Sequence, residues 1–128
     1  MERIPILKMG PFLLVSIQVD MHDRLALQLQ DDLTGRIAQT GARAVLIDIT
    51  GVPTVDTLVA QHLLKTVAAA RLMGADCIIS GIRPSIAQTI VHLGVNLSDV
   101  VTKATLADAL VLAMKRQGFV VTRPQTSK

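Results

Sequence analysis

The sequence predicts an α/β fold with a mixed, mostly parallel β-sheet. Two short apolar runs, at residues 4–8 and 12–17, are joined by Met-Gly-Pro at 9–11 and predict an antiparallel pair of strands. Helix-like and strand-like segments then alternate, giving the order β-β-α-β-α-β-α-β-α. Because strands separated by helices pair in parallel, we expect one mixed sheet with about four helices packed on it.

The first half of the alternating region contains a helix and a buried strand. Apolar residues recur every fourth position and predict an amphipathic helix ending near Gly41; they are Leu25, Leu29, Leu33 and Ile37. Residues 44–49 form a near-continuous apolar run, typical of a central strand covered on both faces. A loop at 50–55 then leads to Asp56 and Thr57, which favour the start of a second helix.

The second half repeats the alternation. The second helix should bury one face and end at Gly74; the predicted face is Ala60, Leu63, Leu64, Val67 and Leu72. A strand at 77–80 precedes a third helix that begins at Pro84 and ends at 93–94. A short strand at 100–103 and a helix marked by Leu106, Leu110 and Met114 complete one domain at 1–116, followed by a polar tail at 117–128 that we expect to be flexible.

Composition limits the possible partners. Half of the residues are apolar and 18% are charged, so a domain of this size cannot bury all its apolar surface, and we expect self-association. The aromatic residues are Phe12 and Phe119, and several basic residues lie in or near the tail. Without a stacking platform or a basic face, nucleic-acid binding is not expected.

The sequence also indicates a compartment. A single cysteine, Cys77, excludes an intramolecular disulfide and suits a reducing environment. The first ten residues lack the features of a signal peptide, and no apolar run approaches the ~20 residues that span a bilayer. We therefore expect a cytoplasmic protein without a membrane partner.

Two features of the sequence bear on an enzymatic or metal-binding role. Cys77 and Arg83 have the Cys-x5-Arg spacing of cysteine phosphatases, but Ile78 and Ile79 place the thiol inside a strand, so a buried core thiol is favoured over a small phosphatase. The three histidines are far apart, which argues against a metal site, and the sequence has no glycine-rich nucleotide loop. We expect neither catalysis nor a cofactor.

The loop after the central strand carries three hydroxyls, on Thr50, Thr54 and Thr57, at the edge of the sheet where ligands and partners usually bind. On spacing alone, helix capping explains Thr57. A phosphoacceptor role is compatible with it, since a phosphate there would lie near a helix N-terminus and add about −1.5 to −2 charge beside Asp56 and near Asp48.

Three segments resemble a known family. Residues 45–57, Val-Leu-Ile-Asp-Ile-Thr-Gly-Val-Pro-Thr-Val-Asp-Thr, resemble the phosphoacceptor segment of STAS domains, the anti-anti-sigma factors and their stressosome relatives. Residues 81–94 and the opening at 4–8 with 13–18 resemble stressosome STAS proteins. The opening is similar to RsbS, a stand-alone scaffold, whereas Val55-Asp56-Thr57 resembles RsbR, because RsbS proteins usually have serine there. RsbR also has a second acceptor near its first helix, where residues 20–23 of this chain have no hydroxyl.

The resemblance implies a partner-switching role. Thr57 would be the phosphoacceptor, with Thr54 and Thr50 as alternatives, and the partner-binding residues would be Asp48, Val55, Asp56 and Thr57. The unmodified protein, assembled with RsbR-type paralogues, would hold an RsbT-type switch kinase and release it on phosphorylation, and an RsbX-type phosphatase would reset it. The alternative within the family is a simple antagonist that binds an anti-sigma kinase directly.

Overall fold

The computed structural model describes residues 3–95 and 100–119 and confirms the predicted order of elements. The strands are β1 (Ile6–Met9), β2 (Phe12–Ser16), β3 (Ala44–Asp48), β4 (Asp76–Ser80) and β5 (Val101–Lys103). The helices are α1 (Asp23–Thr40), α2 (Thr57–Leu72), α3 (Pro84–His92) and α4 (Leu106–Arg116). None of the described helices is long and apolar enough to cross a bilayer.

The five strands form one sheet in the order β1-β2-β3-β4-β5. β1 is antiparallel to β2, and the remaining neighbours are parallel. All five residues of β3 are buried, as its continuous apolar sequence predicts for a strand at the centre of the sheet. The register aligns Leu14, Leu46 and Ile78 across the three inner strands, and it also aligns the three residues at their carboxyl ends.

The helices cover the two faces of the sheet unequally. Helices α1, α2 and α3 pack on the larger core, which includes Val15, Ile47 and Ile79 from the sheet. On the other face, Ala109 and Ala113 of α4 pack in a smaller core; its sheet residues are Phe12, Ala44, Leu46 and Ile78. Successive strand residues point to opposite faces, which explains why neighbours such as Leu46 and Ile47 belong to different cores.

Most predicted helix boundaries are confirmed. The backbone N–H of Gly41 donates to the Ile37 carbonyl at 2.9 Å and ends α1. Asp56 is the N-cap of α2, and Pro84 occupies the first turn of α3. The predicted tail is described as far as Phe119, whose ring packs edge-on against Phe12 with centroids 6.2 Å apart. Residues 120–128 lie outside the described part of the chain.

The structure corrects one predicted helix face, that of α2, and adds detail to the face of α4. Leu72 was expected in the core but is 89% exposed, because it lies nine residues after Leu63 and therefore about 180° around the helix from it. In α4, the fully buried residues are Ala109 and Ala113. The expected leucines and methionine flank that contact and are partly buried; they are Leu106, Leu110 and Met114.

The assignment of the α2 faces can be tested with a matched pair of truncations. Leu63→Ala should lower the free energy of unfolding by about 2–5 kcal/mol, because it leaves a cavity in the larger core. Leu72→Ala removes the same atoms from solvent-exposed surface and should change stability by no more than about 0.5 kcal/mol. Urea denaturation monitored by circular dichroism measures both; equal losses would contradict the assignment.

Candidate functional site

The candidate site lies at the carboxyl ends of the inner parallel strands, as predicted. Ser16, Asp48 and Ser80 end β2, β3 and β4 and are adjacent in the sheet register. The β3–α2 loop, residues 49–56, leaves the sheet from this edge and carries the backbone to the first residue of α2, Thr57. The fold therefore places the three threonines considered above at the edge where open α/β sheets present binding sites.

Asp48 fixes the start of the loop. Its side chain is almost fully buried, and Oδ1 accepts hydrogen bonds from Ser80 Oγ at 2.7 Å and Thr50 Oγ1 at 2.8 Å. Two hydroxyl donors compensate a carboxylate that has lost most of its water. Asp48 thereby joins the end of β3 both to the following loop and to the neighbouring strand.

Close backbone packing holds the same region from the side of β4. Gly81 has a positive φ of 78°, and a Cβ on it would lie 2.8 Å from both Cα and N of Thr50. Real Cβ atoms do not approach backbone so closely, so glycine is required at position 81 for two reasons, its φ and its neighbour. The β4–α3 and β3–α2 connections are thus in direct contact.

The other end of the loop is fixed by a helix cap. Asp56 Oδ1 accepts from the backbone N–H of Val59 at 2.8 Å, and Val55 is 8% exposed, which anchors the loop to the larger core. The capping explanation for Thr57 is therefore wrong: Asp56 is the cap, and Thr57 is the first helical residue. The Thr57 side chain is exposed.

The three threonines differ in what their hydroxyls do. Thr50 is engaged, because its hydroxyl donates to the buried Asp48. Thr54 and Thr57 are both exposed. Thr54 lines a shallow depression of about 480 Å³ together with Asp20 and Met21 of the β2–α1 connection. Thr57 lies beside Leu58, a leucine that is 45% exposed.

The predicted partner-binding residues fall into two layers. Asp56 and Thr57 are at the surface, whereas Asp48 and Val55 lie beneath it at 6% and 8% exposure. Leu58 belongs to the surface layer but was not singled out from the sequence. Leu58 immediately precedes Val59, which is buried, and therefore lies off the apolar stripe of α2. An apolar residue off that stripe could have been recognised in the sequence as an exposed contact residue.

Arg83 and Ser85 also contact this loop, although the sequence did not indicate it. Arg83 Nη2 and Nε donate to the Thr50 carbonyl oxygen at 3.0 and 3.3 Å, and Ser85 Oγ donates to the Pro53 carbonyl oxygen at 2.9 Å. Both residues follow β4, the strand beside β3. The carboxyl ends of neighbouring parallel strands lie at the same edge of a sheet, so the segment that follows β4 could have been expected near the loop that follows β3.

The cysteine phosphatase alternative does not fit this geometry. Cys77 is buried within β4, and burial raises the pKa of its thiol from 9.0 to about 12, with a smaller contribution from Asp76. A nucleophilic thiolate is therefore disfavoured at neutral pH. Arg83 is bound to the Thr50 carbonyl and does not complete a phosphate cradle with Cys77. The described residues also hold no group of three or more candidate metal ligands.

With this geometry in place, comparison with known proteins identifies the family. The sequence profile of the STAS domain matches residues 4–109. This chain belongs to the STAS-domain family. The resemblance noted in the sequence is thereby confirmed, and the STAS fold accounts for the five-stranded sheet with helices on both faces.

Two relatives come from Bacillus subtilis (strain 168). RsbT co-antagonist protein RsbRA is 48% identical over 90 residues, which cover 70% of this chain and 33% of RsbRA. RsbT co-antagonist protein RsbRD is 52% identical over 66 residues, which cover 52% of this chain and 24% of RsbRD. The chain therefore spans a third or less of the length of these relatives.

A solved structure supports the same relationship over the whole domain. RsbS of Moorella thermoacetica, in a serine-to-glutamate variant, matches with a TM-score of 0.81 and 27% identity over 91% of this chain and 98% of that one. The STAS protein described here is thus related in sequence to RsbR co-antagonists and in structure to RsbS.

The close approach at Gly81 can be tested against a second glycine of similar backbone conformation. Gly94→Ala should cost about 1–3 kcal/mol of stability because of its positive φ, and Gly81→Ala should cost more, because it adds a backbone clash to the same φ penalty. In amide NMR spectra, only Gly81→Ala should displace the signals of residues 49–56, since a Cβ at Gly94 meets nothing within 4 Å. Unchanged loop signals in Gly81→Ala would contradict the contact.

Burial of Cys77 predicts slow alkylation and a distinct pH dependence. At about pH 8.5, iodoacetamide should label the urea-unfolded chain and leave the folded chain almost unmodified. Because the thiol has a pKa of 9.0 unfolded and about 12 folded, its contribution to stability is fully present below pH 9 and is lost as pH rises towards 12. Comparison with Cys77→Ala isolates this contribution; rapid labelling of the folded protein would refute the assignment.

Proposed function

We propose that this STAS protein is a phosphorylation-switched antagonist and scaffold of a stressosome-type assembly. In its unmodified form it binds an RsbT-type serine/threonine kinase, and phosphorylation of Thr57 releases that kinase. The observation that supports this proposal best is the position of Thr57. Its side chain is exposed at the first residue of α2, while the neighbouring Asp56 performs the capping that would otherwise occupy a hydroxyl.

The site can accept a phosphate without unfolding. At the first turn of a helix, backbone N–H groups and the helix dipole favour negative charge by about 0.3–1 kcal/mol. The same phosphate adds about −1.5 to −2 charge beside Asp56 and next to the exposed Leu58. A partner seated on this apolar and acidic surface would meet new charge and bulky solvated oxygens. Phosphorylation therefore changes the docking surface and preserves the fold beneath it.

The two layers of the site have separate roles in this proposal. Asp56, Thr57 and Leu58 form the surface that the kinase contacts. Asp48 and Val55 act from below, by holding the loop at its start and near its end. In this proposal the two exposed residues Asp56 and Thr57 act by direct contact with the kinase, and the two buried residues act by fixing the loop.

The proposed setting follows from the family relationship and from the exposed apolar surface. The described chain exposes several large apolar side chains to solvent, including Leu7 at 55% and Val91 at 58%. These residues provide surface for self-association and for assembly with RsbR-type paralogues. The STAS unit at 1–116 would act in the cytoplasm, where kinase, ATP and an RsbX-type phosphatase that resets Thr57 would all be available.

The acceptor assignment is tested by phosphate mapping. Incubation with an RsbT-type kinase and ATP should add one phosphate, located on Thr57 by peptide mass spectrometry. Thr57→Ala should abolish the incorporation. Thr54→Ala, which removes an exposed hydroxyl three residues earlier in the β3–α2 loop, should leave it unchanged. A phosphate mapped to Thr54 or Thr50 in the unsubstituted protein would show that Thr57 is not the acceptor. The absence of any phosphate would refute the proposed function.

The charge mechanism is tested by calorimetric measurement of kinase binding to two variants of equal side-chain size. Thr57→Asp introduces a negative charge and should weaken kinase binding tenfold or more. Thr57→Asn has the size of the aspartate variant without its charge and should bind as Thr57→Ala does. The expected magnitude corresponds to about 1.4 kcal/mol or more. Equal binding by the Asp and Asn variants would show that charge is not the signal.

A further inference from the structure

The β4–α3 junction, defined here as residues 80–85 from the last residue of β4 to the second residue of α3, contacts β3 and the β3–α2 loop at successive points. Its first residue, Ser80, donates its hydroxyl to Asp48 at the end of β3. Gly81 then packs against the Thr50 backbone. Arg83 and Ser85 complete the series by donating to two loop carbonyls, those of Thr50 and Pro53. One short segment thus binds the loop from its start to its middle.

We infer that Arg83 and Ser85 are positioning residues for the phosphoacceptor. Through the Thr50 and Pro53 carbonyls, they hold the β3–α2 loop in the conformation that the kinase recognises. This inference rests on the function proposed above. Arg83 and Ser85 lie outside the loop and outside α2, and they would affect how efficiently the kinase phosphorylates Thr57.

The loop needs such contacts because its own backbone offers few. Pro53 has no N–H, and the backbone hydrogen bonds of the loop lie near its start, where the N–H groups of Ile49 and Val52 donate to the Ser80 and Ile49 carbonyls, each at 2.9 Å. The Thr50 and Pro53 carbonyls lie outside any strand or helix, and side chains of the β4–α3 junction supply their donors. Loss of these donors would leave the ends of the loop fixed and its middle able to rearrange.

The local sequence of α3 supports a role beyond its own helix. Arg83 occupies the N-cap position of α3, where serine, threonine, aspartate and asparagine are preferred, and its side chain makes no capping hydrogen bond. Instead the guanidinium reaches a carbonyl on the neighbouring connection. The Arg83 side chain therefore contributes nothing to capping α3, and its observed contact is with the β3–α2 loop.

The consequence for phosphorylation follows from preorganisation. If only a fraction of the molecules hold the loop in the recognised conformation, the apparent affinity for the kinase falls by that fraction, whereas the bound complex reacts as before. Loss of the contacts that Arg83 and Ser85 make with the loop should therefore raise the KM of phosphorylation and leave kcat unchanged. A direct catalytic role for Arg83 would lower kcat instead.

The test compares Arg83→Gln with Arg43→Gln, which removes the same charge from an exposed arginine at the opposite end of the sheet. Arg83→Gln and Ser85→Ala should each raise the KM for phosphorylation of this protein by an RsbT-type kinase about fivefold, the loss expected for one exposed hydrogen bond. Arg83→Lys, which keeps the charge and one donor, should recover part of that loss. Arg43→Gln should match the unsubstituted protein.

Hydrogen–deuterium exchange supplies a readout that needs no kinase. Peptides covering residues 49–57 should exchange faster in Arg83→Gln and Ser85→Ala than in Arg43→Gln, whereas peptides from α1 should be unchanged, which excludes general unfolding. Loop exchange and KM identical to those of the Arg43→Gln control would overturn the inference. If the unsubstituted protein accepts no phosphate on Thr57, the proposed function fails. The exchange data then still decide whether Arg83 and Ser85 hold the β3–α2 loop in place.

Discussion

The site depends on one buried carboxylate at the end of the central strand. Asp48 is the last residue of β3, and its Oδ1 atom accepts from a hydroxyl on the following loop and from a hydroxyl on β4. A charge at 6% exposure is tolerable only where such donors are supplied. The two donors are Thr50 in the β3–α2 loop and Ser80 at the end of β4. Because both hydroxyls must reach the Asp48 carboxylate, these hydrogen bonds also determine how the β3–α2 and β4–α3 connections leave the sheet.

This constraint explains how a short, exposed segment can be both ordered and accessible. The loop is anchored at its start by Asp48 and at its end by Val55 and the Asp56 cap. Thr57 follows immediately, so its hydroxyl is presented from a rigid helix end and not from a mobile loop tip. Because Asp56 caps the helix, the side chain of Thr57 is left exposed at the surface.

The sequence predicted the fold well because its signals are local. The every-fourth-residue pattern that includes Leu29 and Leu33, and the continuous apolar run of β3, each specify an element without reference to the rest of the chain. Leu72 was misplaced because it lies on the solvent side of α2, about 180° around the helix from Leu63, while its near neighbour Ala70 is buried. The contacts of Arg83 and Ser85 with Thr50 and Pro53 join residues more than thirty positions apart, and no local pattern in a single sequence encodes such a pairing.

The unequal coverage of the sheet has a consequence for how the molecule opens. α4 packs on the smaller core through two fully buried alanines and four partly buried apolar side chains, and its Arg116 forms a surface ion pair with Asp76. Among the described residues, this core shares no buried side chain with the larger core beneath α1, α2 and α3. A helix that packs on a small core of its own is expected to open locally at a lower free energy than the domain as a whole. Such opening of α4 would uncover one face of the sheet and leave the β3–α2 loop, which is anchored in the other core, in place.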